Sequence, residues 1–163
     1  MDFSIDAALQ ADHDRLRAFV RDEIVPLEAD RKNYDSYGNI DMAVLQTLRA
    51  KVKAAGLWAP QIPREQGGLG YEPTGMAVLY EAMNYSIFGP VTFNCAAPDD
   101  GNMYILNKVA NQAQKDRWLT PIINGDVRSS FAMTEPAPGG GSCLLYTSPS
   151  PRDATLSRMP SSA

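Results

Sequence analysis

Apolar residues recur every three or four positions along most of the chain, which is the spacing of one buried face of an α-helix. The first such stretch runs from Ile5 to about Val25, and its apolar stripe consists of Leu9, Leu16, Phe19, Val20 and Ile24. Four more helices are predicted: one capped by Asp41, one opened by Pro73, one over 98–108 and one that starts at Asn111. The pattern therefore predicts a mainly α fold.

Local signals mark where these helices start and stop. Pro26 lacks an N–H and should kink or end the first helix. Asn111 and Gln114 have the spacing of a capping box. The stretch 57–71 contains two prolines and three glycines, so it is predicted to be an irregular connector that Trp58 and Ile62 fix to the helices. The stripe of the third helix is predicted to be Met76, Leu79, Tyr80, Met83 and Ile87.

Composition excludes several classes of function. The chain has 163 residues and a formal net charge of −4, with acidic and basic residues interleaved, which argues against nucleic acid as a partner. No apolar run approaches the roughly 20 residues of a membrane span. The acidic N-terminus resembles neither a signal nor a transit peptide, so a cytoplasmic location is expected. Cys95 and Cys143 lack metal-like spacing, and His13 is interpreted as a solvated surface residue.

The stretch 131–142, FAMTEPAPGGGS, differs from everything before it. A short strand is predicted over 127–133, followed by a Thr-Glu-Pro corner and a glycine-rich turn. Glycine allows positive φ and close approach of backbone N–H groups, so such a turn can cradle phosphate. The residues alone leave two readings open, a plain connecting turn and a phosphate-binding turn. A P-loop is excluded because no Gly-Lys-Ser/Thr follows.

Four segments carry a resemblance when they are taken together and in order. They are the proline- and glycine-containing run 56–70, the segment 97–102 (APDDGN), the run 114–125 that begins QKDRWL, and the segment 131–136 (FAMTEP). With the segments in this order and at these spacings, the chain resembles the acyl-CoA dehydrogenase family over about residues 5–142. The segment 91–99 (VTFNCAAPD) is most similar to the branch that includes the family's member-eleven type.

The resemblance implies a flavoenzyme fold that begins with an all-helical domain and continues into a small β-domain. On this basis residues 1–128 form the all-α N-terminal domain, and 129–142 form the start of a truncated β-domain. FAD is the implied cofactor. Phe131 and Met133 are expected to contact its ring through their backbone, and Thr134 through its backbone and hydroxyl. Ser142 is expected to reach the FAD pyrophosphate.

The implied reaction is α,β-desaturation of an acyl-CoA, in which a glutamate base removes a proton and FAD accepts a hydride at N5. The family's glutamate base lies far downstream, so no catalytic residue is assigned here, and Glu81 and Glu135 are not candidates. This chain alone is expected to be inactive. The resemblance also implies an electron-transfer flavoprotein as electron acceptor and a parent protein that is a homo-oligomer.

Two alternatives stay open from the sequence. The amphipathic helices would also suit a helical binding or oligomerisation module without a redox role. Within the enzyme class, an acyl-CoA oxidase would share the same motifs. The first alternative does not account for the motif 134–136 leading into a glycine-rich turn.

The last segment, 143–163, is Ser/Pro-rich and has neither helical nor strand periodicity. It is similar to translated sequencing-library adapter, and the expectation is that the natural sequence departs from it after Ser142. A genuine disordered tail is the alternative interpretation.

Overall fold

The computed structural model describes residues 5–131. Contacts divide the chain into two units, Met1–Ser129 and Ser130–Ala163. Of the second unit only Ser130 and Phe131 belong to the described part, and all the described helices lie in the first unit. The predicted site residues Met133, Thr134 and Ser142, most of the predicted β-domain segment and the whole of 143–163 lie outside the described residues.

The described part is mainly helical, as the periodicity predicts. Its α-helices are α1 (Ala7–Phe19), α2 (Met42–Ala54), α3 (Pro73–Met83), α4 (Gly89–Thr92), α5 (Asp99–Val109), α6 (Gln112–Gln114) and α7 (Thr120–Asn124). Two π-helical segments, Val20–Ile24 and Lys115–Leu119, continue α1 and lead from α6 into α7. Short 3₁₀ turns cover Val25–Ala29, Arg31–Asn33 and Arg64–Gln66.

The first helix begins at a side-chain cap, and its α-helical part ends at Phe19, earlier than the predicted change at Pro26. Asp6 caps α1, because its carboxylate accepts hydrogen bonds from the backbone N–H groups of Ala8 (3.0 Å) and Leu9 (2.9 Å). After Phe19 the helix widens into the π-helical segment, and it then tightens into the 3₁₀ turn that contains Pro26. Proline has no N–H to continue the α-helical ladder, which accounts for the change of winding at this point.

One hydrophobic core joins the helices of the first unit. The apolar faces of α1 and α3 pack against each other, and the rings of Phe19 and Phe93 meet edge to face with centroids 5.7 Å apart. Trp58 and Ile62 are buried and fix the irregular connector, as predicted. The largest fully buried side chains are Leu16, Ile24, Leu45, Leu57, Leu79, Met83, Phe93 and Met103.

The interpretation of His13 as a surface residue is wrong. The side chain is buried, with Nδ1 3.2 Å from Asp14 Oδ1 and Nε2 3.1 Å from Glu81 Oε2. His13 follows Leu9 by four positions and precedes Leu16 by three, so it lies on the buried stripe of α1. Both ring nitrogens lie beside a carboxylate there, and Glu81 comes from the facing helix α3.

Two apolar side chains are less buried than their periodicity predicts. Ile87 is 69% exposed because α3 ends at Met83, four residues before it, so the helical stripe does not reach position 87. The helical spacing after Asn111 places Trp118, Leu119 and Ile122 on one side, yet Trp118 is 46% exposed while the other two are buried. Trp118 lies in the π-helical segment, where the wider winding shifts the face that each residue presents.

The predicted capping box is present. Asn111 Oδ1 accepts from the backbone N–H of Gln114 (2.9 Å), and Gln114 Oε1 accepts from the N–H of Asn111 (2.9 Å). We expect Asn111→Ala to lower the free energy of unfolding by about 1 kcal/mol, because it leaves helix-terminal donors without a partner. Urea denaturation followed by circular dichroism measures this loss. Gln112→Ala, one position along and exposed, is the control, and an equal loss in both variants would contradict the capping role.

None of the helices described between residues 5 and 131 is long and apolar enough to cross a membrane.

Candidate functional site

Phe131 is the one predicted site residue that the structure describes, and its side chain is 67% exposed. The residues before it, 127–130, contain neither helix nor paired strand, so the start of the predicted strand is irregular within the described part. A strand requires a ladder of backbone hydrogen bonds with a neighbouring strand, and the described residues 127–130 are not part of one. The site is therefore built from the groups that position the chain as it approaches Phe131.

The carbonyl end of α7 is capped by side chains from distant parts of the chain. The Asn94 side-chain amide donates to the carbonyls of Ile122 (3.0 Å) and Ile123 (3.3 Å). The indole N–H of Trp58 donates to the carbonyl of Ile123 at 2.8 Å. A helix leaves its last carbonyls without partners inside the helix, so these donors satisfy groups that would otherwise be unpaired.

Two cations continue the capping. Lys53 Nζ donates to the carbonyl of Asn124 (2.6 Å), and Arg49 Nη1 donates to that of Gly125 (3.3 Å). Arg49 is only 2% exposed, and its other guanidinium nitrogens donate to the carbonyl of Val91. Burial lowers the pKa of this guanidinium. Positive charge at the carbonyl end of a helix is favourable, so the last helix before the site is fixed by α2 as well as by the connector.

Asp99 lies in the first turn of α5. It binds Arg128 and Ser129, through which the chain leaves the helical domain. Its Oδ1 accepts from the Ser129 N–H and the Ser129 hydroxyl, both at 2.7 Å, and its Oδ2 accepts from Arg128 Nε at 2.9 Å. Asn102 Nδ2 donates to the Ser129 hydroxyl oxygen at 2.8 Å. Asp99 is 2% exposed, so these bonds form in a largely dehydrated setting. We refer to Asp99, Asn102, Arg128 and Ser129 as the exit anchor.

The charge state of the anchor follows from its contacts. Burial acts to raise the pKa of Asp99, but the Ser129 N–H and hydroxyl and the Arg128 guanidinium hold it below its ordinary value. The carboxylate is therefore ionised at neutral pH. A group with a lowered folded-state pKa stabilises the fold above its unfolded pKa, and that contribution is lost as the pH falls through the folded value.

The carboxylate next along the helix has a different environment. The Tyr80 hydroxyl is 2.9 Å from the carbonyl of Cys95 and 3.2 Å from Asp100 Oδ2, and Cys95 Sγ donates to Gln61 Oε1 at 3.0 Å. Burial raises the pKa of Asp100, Tyr80 and Cys95. The thiol is therefore protonated and unreactive, and we assign this cluster to the core.

The described part holds no cluster of metal-ligating side chains, and Glu81 is hydrogen-bonded there. No group of three or more His, Cys, Asp or Glu side chains lies together there as a metal site would require. Glu81 is engaged with His13 and accepts from the Tyr85 hydroxyl at 3.4 Å.

The sequence singled out the segment 97–102 as a motif but did not predict that Asp99 contacts Arg128 and Ser129. Two acidic residues at the start of a helix were the available signal, and they are favourable there for a local reason, the helix dipole. The partners lie 29 and 30 positions further along the chain. The contact depends on how α5 and α7 pack.

Comparison with known proteins decides the family. The family described as "Acyl-CoA dehydrogenase, N-terminal domain" matches residues 7–126, most of the described helices. The chain belongs to the acyl-CoA dehydrogenase family. A putative acyl-CoA dehydrogenase from Mycobacterium abscessus has a similar solved structure, with a TM-score of 0.70 and 35% identity over 83% of this chain and 36% of that one.

Several curated members of the family are similar in sequence. "Probable acyl-CoA dehydrogenase FadE2" of Mycobacterium tuberculosis is 37% identical over 147 residues, 84% of this chain and 34% of that protein. "Acyl-CoA dehydrogenase family member 10" of Mus musculus is 36% identical over 76% of this chain and 12% of that protein. "Acyl-CoA dehydrogenase family member 11" of Rattus norvegicus is 34% identical over 75% and 16%. The chain spans about a third or less of the length of these relatives.

Proposed function

We propose that the chain is the N-terminal part of an FAD-dependent acyl-CoA dehydrogenase that introduces an α,β double bond into an acyl-CoA. The observation that carries the proposal is the family match over residues 7–126. Similarity to family members 10 and 11 favours the branch that the segment 91–99 indicates. The proposal includes a cytoplasmic location, a homo-oligomeric parent and an electron-transfer flavoprotein as electron acceptor.

The residues proposed to hold FAD are Phe131, Met133, Thr134 and Ser142. The described part supports this role in one respect: Phe131 is 67% exposed and lies two residues beyond Ser129, which Asp99 binds. FAD, when bound, supplies the hydride-accepting chemistry. The backbone of 131 and 133 and the Thr134 hydroxyl would orient the ring, and Ser142 would bind the pyrophosphate.

The glutamate base of the reaction is proposed to lie in a part of the protein that this chain does not contain, and the chain alone is proposed to be inactive. We further propose that 143–163 is translated adapter sequence. Amplifying the locus from the source DNA tests this: a stop codon directly after Ala163 would overturn the adapter interpretation, whereas a continuing β-domain sequence in place of residues 143–163 would support it.

The function is tested with two proteins, the chain as printed and the complete reading frame recovered from the source DNA. The complete protein is expected to retain FAD through gel filtration, and acyl-CoA is expected to bleach the visible flavin absorbance. The printed chain is expected to show helical circular dichroism without retained flavin. Stoichiometric FAD on the printed chain would contradict the incomplete site, and a folded but flavin-free complete protein would favour the binding-module alternative.

The oxidase alternative is separated by the electron acceptor. A dehydrogenase whose flavin has been reduced by acyl-CoA stays reduced in air-saturated buffer until an electron-transfer flavoprotein or an artificial dye is added. An oxidase would reoxidise rapidly with oxygen alone and release peroxide. Stopped-flow absorbance of the complete protein distinguishes the two outcomes.

A further inference from the structure

We propose that Asp99 is a positioning residue for the cofactor-contacting segment: its carboxylate fixes the point and the register at which the chain leaves the helical domain. The inference rests on the proposed function, because the segment 131–134 is assigned to FAD there. It goes beyond that proposal by assigning a role to a residue that is not itself expected to touch the cofactor.

The bonding of Asp99 is specific to one register. One oxygen accepts both the backbone N–H and the hydroxyl of Ser129, and the other accepts from Arg128. A slip of the chain by one residue would place a different N–H at Oδ1 and would move the Ser129 hydroxyl away from both Asp99 and Asn102. Bonds to a charged acceptor are about twice as strong as neutral ones, so such a slip is costly.

The chain is held on both sides of a short span. Arg49 binds the carbonyl of Gly125, and Asp99 binds Arg128 and Ser129, so only the two residues 126 and 127 lie between anchored groups. Arg49 and Asp99 are each 2% exposed, whereas the Arg128 side chain is 38% exposed, so water competes least at the Arg49 and Asp99 ends of these contacts. The last residues of the helical domain therefore have a fixed position.

Proximity along the chain links this anchor to the proposed flavin contacts. Phe131 is two residues beyond Ser129, within about 7 Å along even a fully extended backbone. Thr134 is five residues beyond, within about 18 Å. A shift of about 1 Å in groups that orient a reactant can cost on the order of a hundredfold in rate, so a fixed starting point matters for this segment.

The first test uses the printed chain and trypsin, which cleaves after Arg128. Asp99→Asn keeps the shape of the side chain but removes the charge, and we expect cleavage after Arg128 to accelerate about tenfold or more, because this segment opens more often. Asp100→Asn is the matched control, because the next carboxylate along the helix contacts the Tyr80 hydroxyl and, among the described hydrogen bonds, none joins it to 128 or 129. Mass spectrometry follows each site, with cleavage after Arg117 as the internal reference.

The second test uses the complete protein with FAD. Asp99→Asn is expected to raise the dissociation constant for FAD about tenfold or more and to alter the flavin absorbance spectrum, while the flavin-free protein keeps the helical circular dichroism of wild type. Ser129→Ala, which removes the hydroxyl's two bonds to Asp99 and Asn102 but keeps the backbone bond to Asp99, is expected to give a smaller change in the same direction. This second variant preserves the test if Asp99→Asn does not fold.

The outcomes separate the two proposals. A flavin-loaded wild type whose Asp99→Asn and Ser129→Ala variants keep the same FAD affinity and spectrum overturns the positioning role alone. A wild-type protein that folds without flavin overturns the proposed function and, with it, the role assigned to Asp99. Unchanged cleavage after Arg128 in Asp99→Asn also overturns the positioning role, because the anchor would then not restrain the chain.

Discussion

Replacing Gly89 with alanine is expected to lower the free energy of unfolding by at least about 3 kcal/mol. A Cβ at this position would lie 1.9 Å from the carbonyl oxygen of Met83 and 2.8 Å from its carbonyl carbon. Both atoms belong to the backbone at the end of α3, so no side-chain rotation can make room. The turn between α3 and α4 would have to open, and Met83 and Phe88, which flank it, are both core residues.

Gly101→Ala is the matched control for this substitution. A Cβ at position 101 meets nothing within 4 Å, and the residue lies in α5. Alanine is favoured over glycine inside a helix, so this variant is expected to be more stable than wild type by about 0.5–1 kcal/mol. Urea denaturation of the two variants should move the midpoint in opposite directions. A loss below about 1 kcal/mol for Gly89→Ala would contradict the close backbone approach.

Asn94→Asp is the second substitution with a large expected effect, a loss of at least about 3 kcal/mol at neutral pH. The Asn94 side chain is buried, and its amide donates to the carbonyls of Ile122 and Ile123. A carboxylate of the same shape has no proton to donate and would face two carbonyl oxygens. The repulsion occurs at the last helix before the exit anchor.

The loss should depend on pH with a defined sign. Inside the fold the introduced carboxyl is favoured in its protonated form, which can donate to a carbonyl, whereas in the unfolded chain it ionises as the pH rises through about 4. The unfolded state therefore releases the proton first, and the destabilisation grows above about pH 4 and shrinks below it. Denaturation at several pH values, with wild type measured in parallel, follows this change.

Asn94→Gly separates the charge from the loss of the donor. Asn94 has a φ of 62°, which glycine adopts without strain, and glycine introduces no charge. This variant should lose about 1–3 kcal/mol with no added pH dependence. If Asn94→Asp and Asn94→Gly were equally stable at neutral pH, the two carbonyls would not face the side chain as described.

The sequence predicted the helices and several of their ends because those signals are local. The caps at Asp41 and Asn111 and the change of winding at Pro26 depend on residues within one or two turns. His13 was interpreted wrongly because a polar residue on an apolar stripe is buried only when a partner lies opposite, and Glu81 is 68 positions away. The prediction that Ile87 is buried was wrong for the opposite reason, because the helical spacing of apolar residues continues past the end of the helix.

The sequence predicted the candidate site only as a motif, without the side chains that position the chain in front of it. The segment 131–136 and its resemblance could be read directly, and Met133, Thr134 and Ser142 stay predictions outside the described residues. The groups that hold the chain before Phe131 were not predictable. Arg49, Trp58 and Asn94 bind carbonyls 28 to 76 positions downstream, and periodicity carries no information about such pairs. They follow from the packing of α2, the connector and α4 against α7.

The capped carbonyls of α7 have a consequence for how the domain comes apart. A five-residue helix near the end of a domain would ordinarily fray before the rest unfolds. Here three separate stretches of chain donate to its last turn, so releasing α7 requires breaking contacts with Arg49, Trp58 and Asn94 together. The C-terminal helix of the domain should therefore not unfold before the rest of the domain. We expect α7 to open in the same cooperative event as the core.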